Sequence, residues 1–355
     1  MNQARSGISY LPEEVIQPVR PRQLWATWLS VLAIVLLCNF VVAPRLLVGG
    51  RNLAGWIIGH KWRLLMSLNQ PVDDLVLGDS SCNQGVNPVT LARALGDRRA
   101  INLCTIGDML ALNDAWMLQT YVERFGAPKR VIIVHVYDIW SRDFDWDHIG
   151  SIPVGLLNLR RLQPEVQLKR WQYRSYIESR YFPLYSSNLS LKARLRPGDP
   201  GSRNAPGPRR VDSLGFLADT VAFPDSVEHD LQGHLRFLEE SAFKLSRDNE
   251  RSLGRIARLA EQHGFEVYLA AAPVYRRLAE AESFREYFAR VQQSLAEQAG
   301  EGSKVHLVFT QPMAFAAGEM QNADHLVLSA ANRYTEELAR QIRRIEAETT
   351  GSATR

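Results

Sequence analysis

The sequence predicts an α/β fold: a three-layer α/β/α sandwich around a five-stranded parallel sheet, preceded by one N-terminal transmembrane helix. Three observations lead there. Short apolar runs of strand length recur at Asp73–Gly78, Ala100–Cys104, Arg130–Asp138, Phe265–Pro273 and Lys304–Phe309. Longer stretches with helical periodicity alternate with them. A separate apolar stretch, with no charged residue from Gln23 to Pro44, precedes them all. Near-continuous apolar strands alternating with helices imply a parallel sheet covered on both faces, in flavodoxin-like order.

The N-terminal stretch reads WATWLSVLAIVLLCNFVVA within residues 23–44. At 1.5 Å per residue it covers about 30 Å as a helix, the thickness of a bilayer core. Trp25 and Trp28 stand at its start, where indoles favour the interface, and Arg20, Arg22 and Arg45 flank it. The leader holds Glu13 and Glu14, the exit FVVAPR has no A-x-A site, and Cys38 follows leucines rather than a small residue. These features favour an uncleaved anchor over a signal peptide. The basic residues do not set its orientation: Arg5, Arg20 and Arg22 precede it, and Arg45, Arg51, Lys61 and Arg63 follow.

Asn52–Leu68 reads as a juxtamembrane helix with Trp56, Ile57, His60 and Leu64 on one side. Further helices are expected around Val89–Leu95, Met109–Phe125, Leu235–His263 with a stop at Gly264, Arg277–Ala299 and Ala330–Ile345. The expected organisation is a tail (1–22), the span (23–44), a juxtamembrane segment (45–72), a folded domain (73–346) and a polar tail (347–355). An insertion at 141–235 interrupts the domain. It contains Arg194–Arg210, with four Pro and three Gly, a composition that reads as a mobile surface loop rather than a lid or basic arm.

Net charge is +4, from 42 basic against 38 acidic residues. The excess is spread along the chain, so a solvated surface is expected and no nucleic-acid partner. Three cysteines cannot make a disulfide-rich scaffold, and none lies in a CxxC pair, so no structural zinc site is expected. There is no GxGxxG, Walker loop or HExxH, so no cofactor and no metal site are expected.

In a parallel α/β sheet the chemistry gathers at the carboxyl ends of the strands. LVLGDSSCNQG (Leu75–Gly85) puts Ser80 there, with its own N–H at the start of a helix. Gly-Asp-Ser is also ordinary turn and N-cap chemistry. INLCTIGD (Ile101–Asp108) puts Gly107 after the second strand, either to bring a bare N–H to a substrate oxygen or to make a left-handed turn. NADHL (Asn322–Leu326) puts His325 in the loop before the last helix. His135 and His306 fall within strands and read as satisfied core residues, and His229 and His234 fit no metal spacing. Serine first and histidine last, each at the same edge, is the order a Ser-His hydrolase would use on this sheet.

GDSS, NLCTIGD and DHL, in that order over about Asp73–Ile345, resemble the first, second and last blocks of the GDSL/SGNH hydrolase superfamily. The resemblance implies Ser80 as nucleophile, His325 as base, and the N–H groups of Ser80 and Gly107 in the oxyanion hole. Two positions depart from the pattern. Tyr137, in HVYD (His135–Asp138), stands where the family places an oxyanion-hole Asn; LND at Leu112–Asp114 looks like that block but falls inside a helix. Asn322 stands where the last block has Asp, and the carboxylate is the neighbouring Asp324, so either residue is a candidate to orient His325, with Asp324 preferred.

One anchor, a diverged SGNH domain and a large insertion resemble the membrane-anchored group that serves exopolysaccharide O-acetylation and D-alanyl transfer. That implies a body outside the cytoplasmic membrane, in the periplasm where there is one, and a multi-span membrane-bound O-acyltransferase as partner. The implied activity is acyl transfer to a cell-surface or exported glycan through an acyl-serine. An esterase or deacetylase, or a non-catalytic assembly subunit, are the alternatives. Outside the cytoplasm Cys82 and Cys104 could be disulfide-bonded, or remain two small buried residues.

Overall fold

The computed structural model describes residues 21–42, 53–96, 99–155, 169–182, 184, 211–300 and 303–353. Residues 1–20 of the expected N-terminal tail, the end of the span (43–44) and the Arg194–Arg210 run lie outside the described residues. Helix α1 (Pro21–Leu37) continues as a π turn, Cys38–Val42. Leu24–Val42 is long and apolar enough to cross a membrane, and only 6% of its apolar window is buried, so it is not a core helix.

The remaining elements follow in chain order. They are α2 (Leu53–Ser67), β1 (Asp74–Gly78), α3 (Ser80–Gly85), α4 (Pro88–Leu95), β2 (Ala100–Asn102), α5 (Leu110–Phe125) and β3 (Arg130–His135). After β3 come α6 (Arg170–Tyr181), α7 (Pro224–Glu240), α8 (Arg247–His263), β4 (Glu266–Ala271), β5 (Val274–Tyr275), α9 (Arg276–Glu280) and α10 (Glu282–Ala299). The chain closes with β6 (Val305–Leu307), β7 (Ala314–Phe315) and α11 (Leu328–Ala353). The main sheet is five-stranded, in the order β2-β1-β3-β4-β6, and every pair is parallel. Helices α5 and α8 pack together, and α11 packs on α3 and α4. β5 and β7 form a separate two-stranded parallel sheet that the sequence reading did not contain.

The helix ends follow local chemistry. Asn87 caps α4 through the N–H groups of Val89 and Thr90, Pro88 takes its first position, and Gly96 ends it in the left-handed region. Two expected helices are divided. Leu235–His263 is α7 and α8, because the N–H of Ser246 pairs with the Trp140 carbonyl at 2.9 Å while its hydroxyl caps α8. Arg277–Ala299 is α9 and α10, broken where Ala281 turns to extended backbone. The expected tail from 347 is helical as far as Ala353.

The helix expected beside the membrane, α2, packs into the core. Ile58, Trp62 and Leu65 of α2 are fully buried. Lys61 is buried with them, donating to the Asn102 carbonyl (2.9 Å), Asn102 Oδ1 (3.1 Å) and the Gly215 carbonyl. Burial holds its pKa well below the ordinary lysine value. One lysine side chain thus joins α2, β2 and the returning end of the insertion.

β1 lies between β2 and β3, so the strand order reverses there, and a crevice opens beyond its carboxyl end. Gly78 ends β1 at φ +141°, where a Cβ would stand 2.0 Å from the Val134 carbonyl oxygen of β3. Only glycine allows the chain to turn out of the sheet this close to its neighbour.

Candidate active site

Asp79 organises the turn that follows Gly78. Its Oδ1 accepts from the N–H groups of Ser81 (2.9 Å) and Cys82 (3.3 Å), capping α3. Its Oδ2 accepts from the Val136 N–H at 2.6 Å and meets His135 Nδ1 at 3.4 Å. The other ring nitrogen of His135 meets Asp114 Oδ2 at 2.7 Å. Burial opposes charge on this imidazole, but the two carboxylates outweigh it and push its pKa up to about 10. Burial raises the Asp114 carboxyl. His135 is thus a buried core histidine, and one held between two acids. The Asp of GDSS is spent on structure: it fixes the end of β1 against the end of β3.

The LND run does lie inside a helix, α5. Asn113 is fully buried, accepts from Trp62 Nε1 (2.9 Å) and donates to Thr105 Oγ1 (3.2 Å), and it does not line the cleft. Cys82 and Cys104 are disulfide-bonded, joining α3 to the segment after β2. That segment carries Gly107, whose φ is not in the left-handed region, so a left-handed turn does not explain it. A Cβ there would meet Ile139 Cδ1 at 2.7 Å and Arg142 Nη1 at 3.3 Å.

Ser80, Gly107, Asp324 and His325 line one cleft of about 380 Å³ at the carboxyl edge of the sheet. Its walls include Ile57, Ile106, Val136, Ile139 and Leu217, the last from the returning end of the insertion. His325 Nδ1 faces Asn322 Oδ1 (2.6 Å) and Asp324 Oδ1 (2.5 Å), so both candidates for orienting the ring lie against it. Asn322 Oδ1 also accepts the His325 N–H at 2.8 Å, shaping the loop as an Asx turn. The other carboxylate oxygen of Asp324 accepts from Ser81 Oγ at 3.0 Å. Nε2 is the ring nitrogen left for the cleft. Burial works against charge on both groups of this pair, and their mutual attraction prevails: His325 is raised, and Asp324 lies well below the usual carboxylate range. Among the described residues no hydrogen bond joins Ser80 to His325, and catalytic contacts are commonly loose without substrate.

Tyr137 does not line the cleft. Its hydroxyl meets His234 Nδ1 at 2.8 Å, and its ring packs edge-on against Phe284 and Tyr287. His234 Nε2 lies 3.4 Å from Asp230, one turn earlier on α7. Burial lowers His234, but Asp230 and Asp324 raise it overall. Asp230, His234 and Asp324 offer ligand atoms within 4.8 Å of one another. However, His234 has spent one ring nitrogen on Tyr137 and the other on Asp230, so the set fits a hydrogen-bonded network better than a metal site. Asp108, Asp145 and His148 form a second such group by distance. Ser81, Asp230 and His234 were not singled out by sequence as parts of this site. Their one signal was the i, i+4 spacing of Asp230 and His234.

No protein-family model matches the chain, and no curated protein matches it. A solved structure from Streptococcus pneumonia, described as a candidate platelet activating factor, is 12% identical with a TM-score of 0.37. The match covers 90% of this chain and 98% of that one.

Proposed function

We propose that the protein is a membrane-anchored SGNH-like acyltransferase that works through an acyl-serine and passes the acyl group to a hydroxyl of a cell-surface or exported polysaccharide. One observation carries the reading: Ser80, Gly107 and His325 line a single cleft, with His325 Nδ1 held by Asp324. Ser80 Oγ attacks the acyl carbonyl while His325 Nε2 takes its proton, and His325 then returns that proton to the leaving group. A sugar hydroxyl next gives its proton to His325 and attacks the acyl-serine; as the Ser80 Oγ–acyl bond breaks, His325 passes that proton to Ser80 Oγ, releasing the new ester and free Ser80. The N–H groups of Ser80 and Gly107 donate to the oxyanion in both halves.

The apolar helix α1 supports an anchored protein. The Cys82–Cys104 bond supports a body in an oxidising compartment outside the cytoplasm. The glycan acceptor and a multi-span O-acyltransferase partner follow from the resemblance of the GDSS, NLCTIGD and DHL blocks. The test is intact-mass analysis of the full chain in detergent, incubated with an activated acetyl ester, as wild type and as Ser80→Ala. The expected result is one acetyl adduct on wild type and none on the variant. A folded wild type that forms no adduct and turns over no ester overturns the enzyme reading in favour of an assembly subunit. Release of the adduct to water at the same rate with and without an oligosaccharide acceptor turns the transferase into an esterase.

A further inference from the structure

Asn83 lines the same cleft as Ser80, yet it is only 1% exposed and neither polar atom of its side-chain amide has a hydrogen-bond partner. Buried amides are almost always satisfied, so an unsatisfied one lining a cleft calls for a partner from outside the chain. The backbone around it is fixed. Its N–H donates to the Asp79 carbonyl at 3.0 Å, and its carbonyl accepts the Leu217 N–H at 3.1 Å. Asn83 follows Ser80 by three positions on α3, so the two side chains share a helix face. The opposite supply has failed: Tyr137, at the end of β3, turns its hydroxyl to His234 and lies outside the cleft.

We propose that Asn83 Nδ2 donates to the acyl carbonyl oxygen as it becomes an oxyanion, completing a hole whose other donors are the N–H groups of Ser80 and Gly107. The inference rests on the reading of Ser80 as nucleophile. Because both ends of the amide are unpartnered, Nδ2 turns toward the substrate without breaking a bond in the protein. The neighbouring Gln84 also lines the cleft, but its buried unpartnered atom is Oε1, an acceptor that an oxyanion repels, whereas Asn83 keeps its donor Nδ2 buried and unpartnered. The tetrahedral centre forms as Ser80 Oγ bonds to the carbonyl carbon and the C=O electron pair moves to oxygen. The proton goes to His325, so Asn83 donates a hydrogen bond and exchanges no proton.

The variant Asn83→Leu separates this role from packing. It keeps the shape and removes the buried amide, so a residue that only fills space leaves acylation unchanged and the melting temperature equal or higher. As an oxyanion donor, its loss slows acetyl-Ser80 formation by about 10²–10³-fold at saturating ester, with KM little changed and the melting temperature kept. Asn83→Ala, which adds no bulk, decides the matter if Asn83→Leu does not fold. The readout is the time course of the acetyl adduct on the full chain in detergent, at several ester concentrations. Acylation by a folded variant within about threefold of wild type overturns the inference and leaves the reading of Ser80 standing. A wild type that forms no adduct overturns both.

Discussion

His135 leaves the end of β3 and His325 leaves the loop before α11, and each imidazole lies against carboxylate. The environments then diverge. His135 meets Asp79 with Nδ1 and Asp114 with Nε2, is shut away from solvent, and has no nitrogen to spare. His325 meets Asn322 and Asp324 with Nδ1 alone and lines the cleft. Both are raised above the ordinary histidine value by neighbouring carboxylates. A perturbed pKa therefore does not distinguish a histidine that holds the fold from one that can move a proton. What differs is that the hydrogen bonds of the His325 ring all fall on Nδ1 and that His325 lines the cleft, as His135 does not.

The largest effect that can break this comparison is kinetic. His325→Ala is expected to slow acylation of Ser80 by about 10³-fold with the melting temperature nearly kept, because the ring supports little of the core. The wild-type rate should fall as pH drops through the pKa of His325, which lies above 6.5, since only neutral imidazole accepts the serine proton. Asp324→Asn removes the carboxylate that raises this pKa. The acid limb of the rate profile should then move toward lower pH while the plateau falls. An acid limb that stays in place would show that Asp324 does not set the charge of the ring, leaving Asp79 and Asp230 as the carboxylates that raise it.

His135 should give the opposite phenotype. His135→Leu leaves two carboxylates facing one another in the core, and the expected loss is about 3–5 kcal/mol of stability by denaturant unfolding. The wild type has its own pH signature. A histidine at about 10 in the folded state and about 6.5 unfolded contributes stability that is complete below pH 6.5 and is lost as pH rises toward 10. The midpoint of unfolding should therefore fall between those values in wild type, and this fall should be smaller in His135→Leu. Equal slopes would mean that His135 is neutral in its pocket.

The strands were legible because burial on both faces writes them as unbroken apolar runs: Leu75–Leu77, Val131–Val134 and Val267–Ala270 are all buried in the sheet. The parallel order followed from their alternation with helices, and Ser80, Gly107 and His325 stood out because strand ends are where such sheets gather chemistry. Three features were not legible. The break between α7 and α8 depends on a bond from Ser246 to Trp140, more than a hundred residues earlier. The place of His234 depends on α7 folding back over the loop after β3, where Tyr137 receives it. The structural use of Asp79 depends on His135 and Val136 arriving from β3. Each is a contact between distant segments, and periodicity carries no information about those.

The smallest effect sharpens the comparison most, because it concerns one hydrogen bond. Ser81 Oγ donates to Asp324 Oδ2 at 3.0 Å, while Asp324 Oδ1 takes His325 Nδ1. The second serine of GDSS thus holds the carboxylate that faces the ring, and β1 is connected through α3 to the loop before α11. Ser81→Ala removes that restraint and leaves Asn322 as the fixed partner of the ring. A hydrogen bond to a charged group contributes about 1.5–3 kcal/mol, but Asp324 keeps the attraction of His325 and of His234. The expected loss in acylation rate is therefore below that range, about fivefold to tenfold, with Ser81→Thr restoring most of it. Unchanged acylation in Ser81→Ala would mean that Asp324 needs no second anchor and that Asn322 alone aligns the imidazole. The contrast with His135 would then narrow, since both rings would be fixed by their nearest partner without help from the rest of the network.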